Sequence, residues 1–225
     1  MKVAIGMLTY NAYKTGRTGM LYKAWNSTNP VRTGHPCLRQ ILTNGSTDET
    51  VDLVRGMGGI VDDGDTRIFH GMRRLFDWGV AMDADLIVFT ADDIVYVDGW
   101  LARLVRVWEA APPEVAIISP LLEPMYSWNQ ITDAVDIAGE RALVRDSVGG
   151  CAWSFRASDR EFLDPPAMMP GEDLAVCKRV LAAGRQMLQL DLADHIGEQH
   201  SAWGNESYLF AQPVDREKWG LPDGA

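Results

Sequence analysis

The stretch Leu86-Ile87-Val88-Phe89-Thr90-Ala91-Asp92-Asp93 constrains the fold of this chain more than any other. A run of apolar, partly β-branched residues ends abruptly in two adjacent carboxylates. The apolar part has no polar side to offer water. It therefore suits a strand covered on both faces, as in a parallel sheet with helices packed above and below. The carboxylates then lie at the strand's carboxyl end, where open α/β sheets bind their ligands. Neighbouring carboxylates repel unless positive charge stands beside them. A hard divalent cation with oxygen ligands supplies that charge and also holds a diphosphate. Taken alone, the pair fits a solvated turn better, since acids are mostly exposed, and the rest of the chain has to decide between the two.

With 225 residues and 47% hydrophobic content, the chain suits one large α/β core better than two small ones. A formal net charge of -10 argues against broad adhesion to nucleic acid or anionic membrane. Local basic patches remain available, with Arg67, Arg73 and Arg74 as one cluster. Cys37, Cys151 and Cys177 are widely spaced and odd in number, which suggests neither a disulfide framework nor a zinc site. The residues Met1 to Gly6 run straight into a strand pattern without an apolar leader, and no stretch is apolar enough to span a bilayer. The expectation is a soluble cytoplasmic protein. Eight Trp residues are many for this length, and each is expected in the core or lining a groove.

Taken in order, Val3 to Leu8 reads as a strand, and the polar Thr9-Tyr10-Asn11 after it as a ligand loop. Lys14 and Arg17, in the Gly- and Thr-rich loop that follows, are available to an anion. Helical residues from Leu21 end at Asn29-Pro30, because the residue before Pro leaves the α region. A strand at Cys37 to Thr43 leads into Asn44-Gly45-Ser46-Thr47-Asp48-Glu49-Thr50, a turn whose Ser46 and Glu49 have capping-box spacing for a helix from Thr50 to Met57. A short strand at Ile60-Val61, a helix over Phe69 to Met82, the buried strand, a helix over Leu101 to Glu109 and a strand at Val115 to Ser119 complete a β-α-β-α-β-α-β-α-β alternation. Such alternation predicts a mostly parallel sheet with crossover helices. Residues 120–146 read as loop plus hairpin. Gly149-Gly150 precedes an alternating strand to Arg156. Gly171-Glu172-Asp173 opens a helix over Leu174 to Ala183, and Leu188 to Leu192 is the last strand, followed by a loop with His195 and His200.

This ordered set resembles the inverting, family 2-like glycosyltransferases of the GT-A fold, over residues 3–203. Leu8-Thr9-Tyr10-Asn11 looks like the family's P-T-Y-N, and Asn44 to Thr50 like its D-N-G-S-T-D-x-T. Phe89 to Ile94 looks like the D-x-D strand end, Gly149-Gly150 to Arg156 like the glycine pair and F-R strand, and Gly171-Glu172-Asp173 like the E-D motif. Two positions depart. Thr43 stands where the family has an Asp that reads the pyrimidine edge, and Thr90 stands in place of the first D-x-D carboxylate. The resemblance implies a single GT-A type, Rossmann-like domain over 1–212, with a nucleotide-sugar-binding half to about 119, an acceptor-binding half beyond it and a tail over 213–225. It implies a nucleotide-diphosphate sugar donor, such as a UDP-sugar, and Mn²⁺ or Mg²⁺. Asp92 becomes a metal ligand with Asp93 beside it, and His195 or His200 the late histidine ligand. Thr9, Tyr10, Asn11, Thr43, Asn44, Asp48, Arg73, Thr90, Asp92 and Gly150 are the implied donor-site residues. Asp173 is the implied general base, with Glu172 shaping the acceptor or sugar site.

The chemistry asks for those residue types. A metal on the diphosphate acts as Lewis acid while negative charge builds on the leaving group. A carboxylate within hydrogen-bond reach of the acceptor hydroxyl takes its proton. Asp173 also suits a helix start on electrostatic grounds alone. A non-catalytic nucleotide- or sugar-binding protein of the same fold and a nucleotidyltransferase stay open as alternatives. The acceptor is a saccharide, a protein, a small molecule or a hydroxymethylated DNA base. For the last of these, Arg67, Arg73, Arg74, Arg141 and Arg145 offer a phosphate track.

Overall fold

Where apolar residues run without interruption, the chain forms interior strands, and where they recur every third or fourth position, it forms helices laid against them. A computed structural model describes residues 1–63, 68–122, 125–126, 131–150, 152–163, 172–195, 211–212 and 215–221. In chain order the elements are β1 (Val3–Thr9), α1 (Thr18–Ser27), α2 (Pro30–Thr33), β2 (Cys37–Asn44), α3 (Thr50–Gly56), β3 (Ile60–Asp62), α4 (Ile68–Ala81), β4 (Leu86–Ala91), β5 (Ile94–Tyr96), α5 (Trp100–Ala110), β6 (Val115–Pro120), β7 (Met125–Tyr126), β8 (Ile131–Ile137), β9 (Glu140–Arg145) and β10 (Ala152–Arg156). A 3₁₀ helix (Ala157–Leu163), α6 (Glu172–Ala182), β11 (Gln186–Leu190), β12 (Ala193–His195), β13 (Ala211–Gln212) and α7 (Arg216–Trp219) follow.

One nine-stranded sheet runs β3-β2-β1-β4-β10-β6-β11-β9-β8. Its first four strands are parallel, as the β-α alternation predicts. Strand β10 then enters antiparallel between β4 and β6. Beyond it β6 and β11 are parallel, and the β8–β9 hairpin closes the edge. The hairpin turns at Ala138-Gly139, both with positive φ, which matches the twist of tight hairpin turns. The expected α/β architecture, a central sheet with flanking helices, is therefore the one observed.

Helices cover both faces. On one side Trp100, Leu101, Leu104 and Trp108 of α5 pack on Val3, Ile5 and Val88. On the other, Met72, Leu75 and Phe76 of α4 meet Ile87 and Phe89, together with Val176 and Val180 of α6. Burial on both sides is why β4 carries no alternation. Trp100, Trp108 and Trp153 are core residues. Trp108 donates its indole N–H to Ser154 Oγ at 2.9 Å, tying α5 to β10.

Two local expectations change. Asn29-Pro30 ends α1 and also starts α2, with the Asn29 side chain accepting the Val31 N–H and Pro30 in the first turn. The Ser46–Glu49 capping box does not form. Glu49 makes no cap bond, and Asp48 Oδ1 accepts the Thr50 N–H at 3.1 Å instead. Ser46 is engaged elsewhere, as described below. Arg145 is 2% exposed and donates to Gln189 Oε1 at 2.8 Å inside the sheet. Burial pushes its pKa down to about 10. It is therefore no part of a surface phosphate track. Arg141 binds the Trp219 carbonyl and Asp136, and Arg67 lies outside the described residues.

Candidate active site

Parallel pairing brings the carboxyl ends of β1, β2 and β4 to one edge. Leu8 pairs with Ala91, and Thr9 with Thr43. The next residue after Ala91 is Asp92, so Thr9 lies beside it and donates its hydroxyl to Asp92 Oδ2 at 2.6 Å. Arg17, at the start of α1, donates Nη1 to Asp92 Oδ1 at 2.9 Å. Asp92 is 3% exposed. Burial pushes its carboxyl up to about 6, against the pull of the Arg17 guanidinium and the Thr9 hydroxyl, with neighbouring Asp93 adding to the rise. This is an expensive place for a carboxylate, not a solvated turn.

The loops after β1 and β2 are tied together. Asn11 takes a positive φ of 45°, a conformation that Asn tolerates better than most side chains. Its backbone N–H donates to Ser46 Oγ at 2.9 Å, and its Oδ1 accepts the Thr47 N–H at 2.9 Å. Ser46 Oγ lies 2.5 Å from Thr43 Oγ1. Asp48 Oδ2 accepts the Lys14 N–H at 2.6 Å. Burial would raise the Asp48 carboxyl, but hydrogen bonds from Thr50 and Lys14 outweigh that and hold it below the usual range. The polar residues of both loops thus build a platform, from which Tyr10 and Tyr13 project into solvent.

Thr43, Asn44 and Thr90 are buried. Thr43 positions Ser46, and the Thr90 hydroxyl donates to the Ala91 carbonyl. Arg73 lies on the exposed side of α4, while neighbouring His70 and Arg74 both bind Asp62.

The second half of the chain reaches the same edge through β10. Ala152 pairs with Thr90, so Gly150 enters at the Asp92 end. A Cβ on Gly150 would stand 3.2 Å from Asp173 Cβ and 3.8 Å from the Trp153 ring. The glycine lets α6 begin against the sheet edge. Asp173 is half-buried there, and its Oδ1 accepts the Leu174 N–H at 2.8 Å. The backbone of His195 also comes to this edge, paired with Ile94 in the β5–β12 ribbon. The side chains of Glu172 and His195, and all of His200, lie outside the described residues.

Among the described residues no three His, Cys, Asp or Glu side chains converge on a metal position. Asp92 nevertheless fits as an oxygen ligand. It is a buried carboxylate with a cation drawn to its side, and hard carboxylate oxygen is the donor type that suits Mn²⁺ or Mg²⁺. Arg17 holds that cation position in this structure. Sequence reading found Arg17 as a loop cation but not as the partner of Asp92. The residues are 75 apart in sequence, and only the pairing of β1 with β4 unites them.

No protein-family model matches the chain, and no curated protein matches it. Solved structures do match. S. aureus TarS 1-349 aligns with a TM-score of 0.58 at 13% identity, over 88% of this chain and 61% of that one. GalNAc-T7, solved with UDP, GalNAc and Mn²⁺, aligns with a TM-score of 0.55 at 10% identity, over 86% of this chain and 43% of that one. A197 from STIV aligns with a TM-score of 0.50 at 14% identity, over 87% and 85% of the two chains. The chain thus spans less than two thirds of the TarS and GalNAc-T7 chains. At these identities the likeness concerns fold, and the fold is that of the GT-A glycosyltransferases.

Proposed function

We propose that the protein is a glycosyltransferase that moves a sugar from a nucleoside-diphosphate donor, such as a UDP-sugar, to an acceptor hydroxyl with inversion. The observation that carries this reading is the meeting of Asp92, from the first half of the chain, with Gly150 and Asp173, from the second, at one sheet edge. A buried carboxylate suited to a metal-bound diphosphate and a second carboxylate at a helix start are the two groups the reaction needs. The structures of TarS with UDP and with UDP-GlcNAc, and of GalNAc-T7 with UDP and Mn²⁺, support the choice of donor class.

In this reading the platform of Asn11, Ser46 and Thr47, with Tyr10 above it, receives the nucleoside. Asp92, with Asp93 and His195, would hold Mn²⁺ or Mg²⁺, which would supply Lewis-acid chemistry at the leaving diphosphate. Asp173 accepts the acceptor's proton through a carboxylate oxygen, and Glu172 shapes the pocket for acceptor or sugar. Residues to about 119 bind the donor and residues 120–212 the acceptor, which is a saccharide, protein, small molecule or hydroxymethylated DNA base.

Incubation with a panel of nucleotide sugars and Mn²⁺ tests the reading. Release of nucleoside diphosphate with transfer of sugar is the expected outcome. Release of pyrophosphate instead identifies a nucleotidyltransferase. Tight nucleotide binding without either product identifies a binding protein.

A further inference from the structure

Arg17 occupies an unusual position for a charged side chain. It is largely covered, with its side chain 18% exposed against 4% for that of Asp92. Three of its nitrogens have partners. Nη1 donates to Asp92 Oδ1 at 2.9 Å, Nη2 to the Tyr10 carbonyl at 2.7 Å, and Nε to Thr15 Oγ1 at 3.0 Å. The guanidinium therefore clamps the loop after β1 over the end of β4. Its backbone is fixed as well, since the Arg17 N–H donates to the Ala12 carbonyl at 2.7 Å. The loop places this one cation against the carboxylate that the proposed function assigns to a divalent ion.

Two cations cannot share one carboxylate oxygen without strong repulsion, and the low dielectric of a covered site screens them poorly. Arg17 must yield Asp92 Oδ1 before a divalent ion can take it. If nothing replaces the carboxylate, the guanidinium loses its one anionic partner among the described residues. A diphosphate changes this balance. Its oxygens would match the planar fork of Arg, which grips phosphate at two points.

Resting on the glycosyltransferase reading, we propose that Arg17 is a donor-binding residue that exchanges partners, from Asp92 to the donor's diphosphate, and thereby makes the divalent ion and the nucleotide bind together. The energetic link runs through one side chain. The ion alone must displace Arg17 with no compensation, and the nucleotide supplies that compensation. Linkage makes the effect reciprocal, so the nucleotide tightens the ion by the same factor as the ion tightens the nucleotide.

Titration of the protein with Mn²⁺, followed by the electron paramagnetic resonance of the free aquo ion, reads this without any turnover. It is done with and without UDP. In wild type, UDP is expected to tighten Mn²⁺ by about 5–150-fold, the usual range of coupling between sites. In Arg17→Gln, Mn²⁺ alone is expected to bind more tightly than in wild type, because Asp92 is released, and the UDP effect is expected to fall to about threefold or less on that scale. Arg17→Lys keeps a charge for Asp92 but lacks the fork. It is expected to leave Mn²⁺ alone weak while still losing coupling, and it carries the test if the Gln variant does not fold. Unchanged coupling in both variants overturns the exchange while leaving the glycosyltransferase reading intact. UDP binding that needs no Mn²⁺ and disappears in Arg17→Gln also overturns it, since Arg17 then replaces the ion. Wild type that binds no UDP at any Mn²⁺ concentration overturns both.

Discussion

Asp92 is buried and partnered at the end of its strand, unlike an acid in a solvated surface turn. An ionised carboxylate at 3% exposure is destabilising unless it is well partnered. Here two hydrogen bonds partner it, from Thr9 and Arg17. Asp92→Asn keeps an oxygen for the Thr9 hydroxyl, and Arg17 keeps the Tyr10 carbonyl and Thr15 as acceptors. The variant is therefore expected to stay folded, with a melting temperature at pH 7 within a few degrees of wild type. Its Mn²⁺-dependent nucleotide binding should fall on the order of 100-fold, because a charge-assisted contact worth about 2–3 kcal/mol is lost. A large drop in melting temperature with unaltered nucleotide binding would make Asp92 a structural ion-pair residue. At this scale much was legible in the sequence. A buried apolar strand ending in acids singled out Asp92, but taken alone the acidic pair fitted a solvated turn better, and its burial appears only in the assembled sheet. The partners of Asp92 were not legible. Thr9 and Arg17 reach it across strands, and no local spacing encodes that contact. Thr43 and Thr90 show the converse, since their burial, with hydroxyls turned to Ser46 and the Ala91 carbonyl, appears only once the strands are paired.

Among the elements, the long ones were readable and the short ones were not. Strands β1, β4 and β6 announce themselves because both faces are buried. Helices α4 and α5 do so through apolar spacing. Strands β5 and β12 have three residues each, too few for a period to show, yet their pairing brings the backbone of His195 to the site. The position of β10 between β4 and β6 was likewise hidden, because register between distant strands depends on the assembled sheet. Two predictions belong here. Gly150→Ala adds a methyl 3.2 Å from Asp173 Cβ. Misplacing a reacting group by a fraction of an ångström is expected to lower kcat by about 10–100-fold. The KM for donor and the melting temperature should change little, which steady-state kinetics and a thermal melt will show. The second prediction concerns the hairpin. Arg103 grips Glu140 at two points, 2.9 and 2.6 Å, and Arg106 adds a third at 3.2 Å, tying α5 to β9. The Arg103 hydrogen bonds hold the Glu140 carboxyl below its ordinary 4.5, against the effect of burial. A lowered folded-state value means that the stabilisation is present above about pH 4.5 and is lost as pH falls through the depressed value. Glu140→Gln should thus lower the melting temperature at pH 7 by about 2–4 °C, for a partly exposed network worth about 1 kcal/mol. The difference from wild type should close at the acid end. A gap that persists at the acid end would mean that packing, not charge, holds the hairpin.

Across the whole molecule the sheet order divides labour along the chain. Strands β1 to β4 carry the loop platform, to which the proposed function assigns the nucleotide, and Asp92, and the insertion of β10 brings Gly150, and α6 behind it, to the same edge. The overall α/β class was legible because alternating strands and helices leave few other topologies. The net charge of -10 narrowed the partners, and the burial of Arg145 weakens the case for a DNA track further. This division predicts that binding and chemistry can be lost independently. Asp173 lies in the first turn of α6, where an acid is favourable to the helix dipole whatever its catalytic role. Asp173→Asn is the substitution that tells the roles apart. The amide is nearly isosteric, and its oxygen can still accept the Leu174 N–H that Asp173 accepts at 2.8 Å. If Asp173 only supports the helix, the change affects stability by about 1 kcal/mol or less and leaves the rate alone. If it takes the proton from the acceptor hydroxyl, the amide cannot, and turnover falls by on the order of 10²–10⁴, the contribution of a positioned general base. Nucleotide and Mn²⁺ affinities should stay at wild-type values, because Asp92, Arg17 and the Asn11–Ser46 platform lie on other elements. The expected pattern is therefore opposite to that of Asp92→Asn, which loses binding first. Single-turnover sugar transfer at saturating donor, with calorimetric binding of UDP alongside, measures both quantities on one preparation. Near-normal turnover in a folded Asp173→Asn protein would remove it as the base and direct attention to Glu172, the adjacent carboxylate at the start of the same helix.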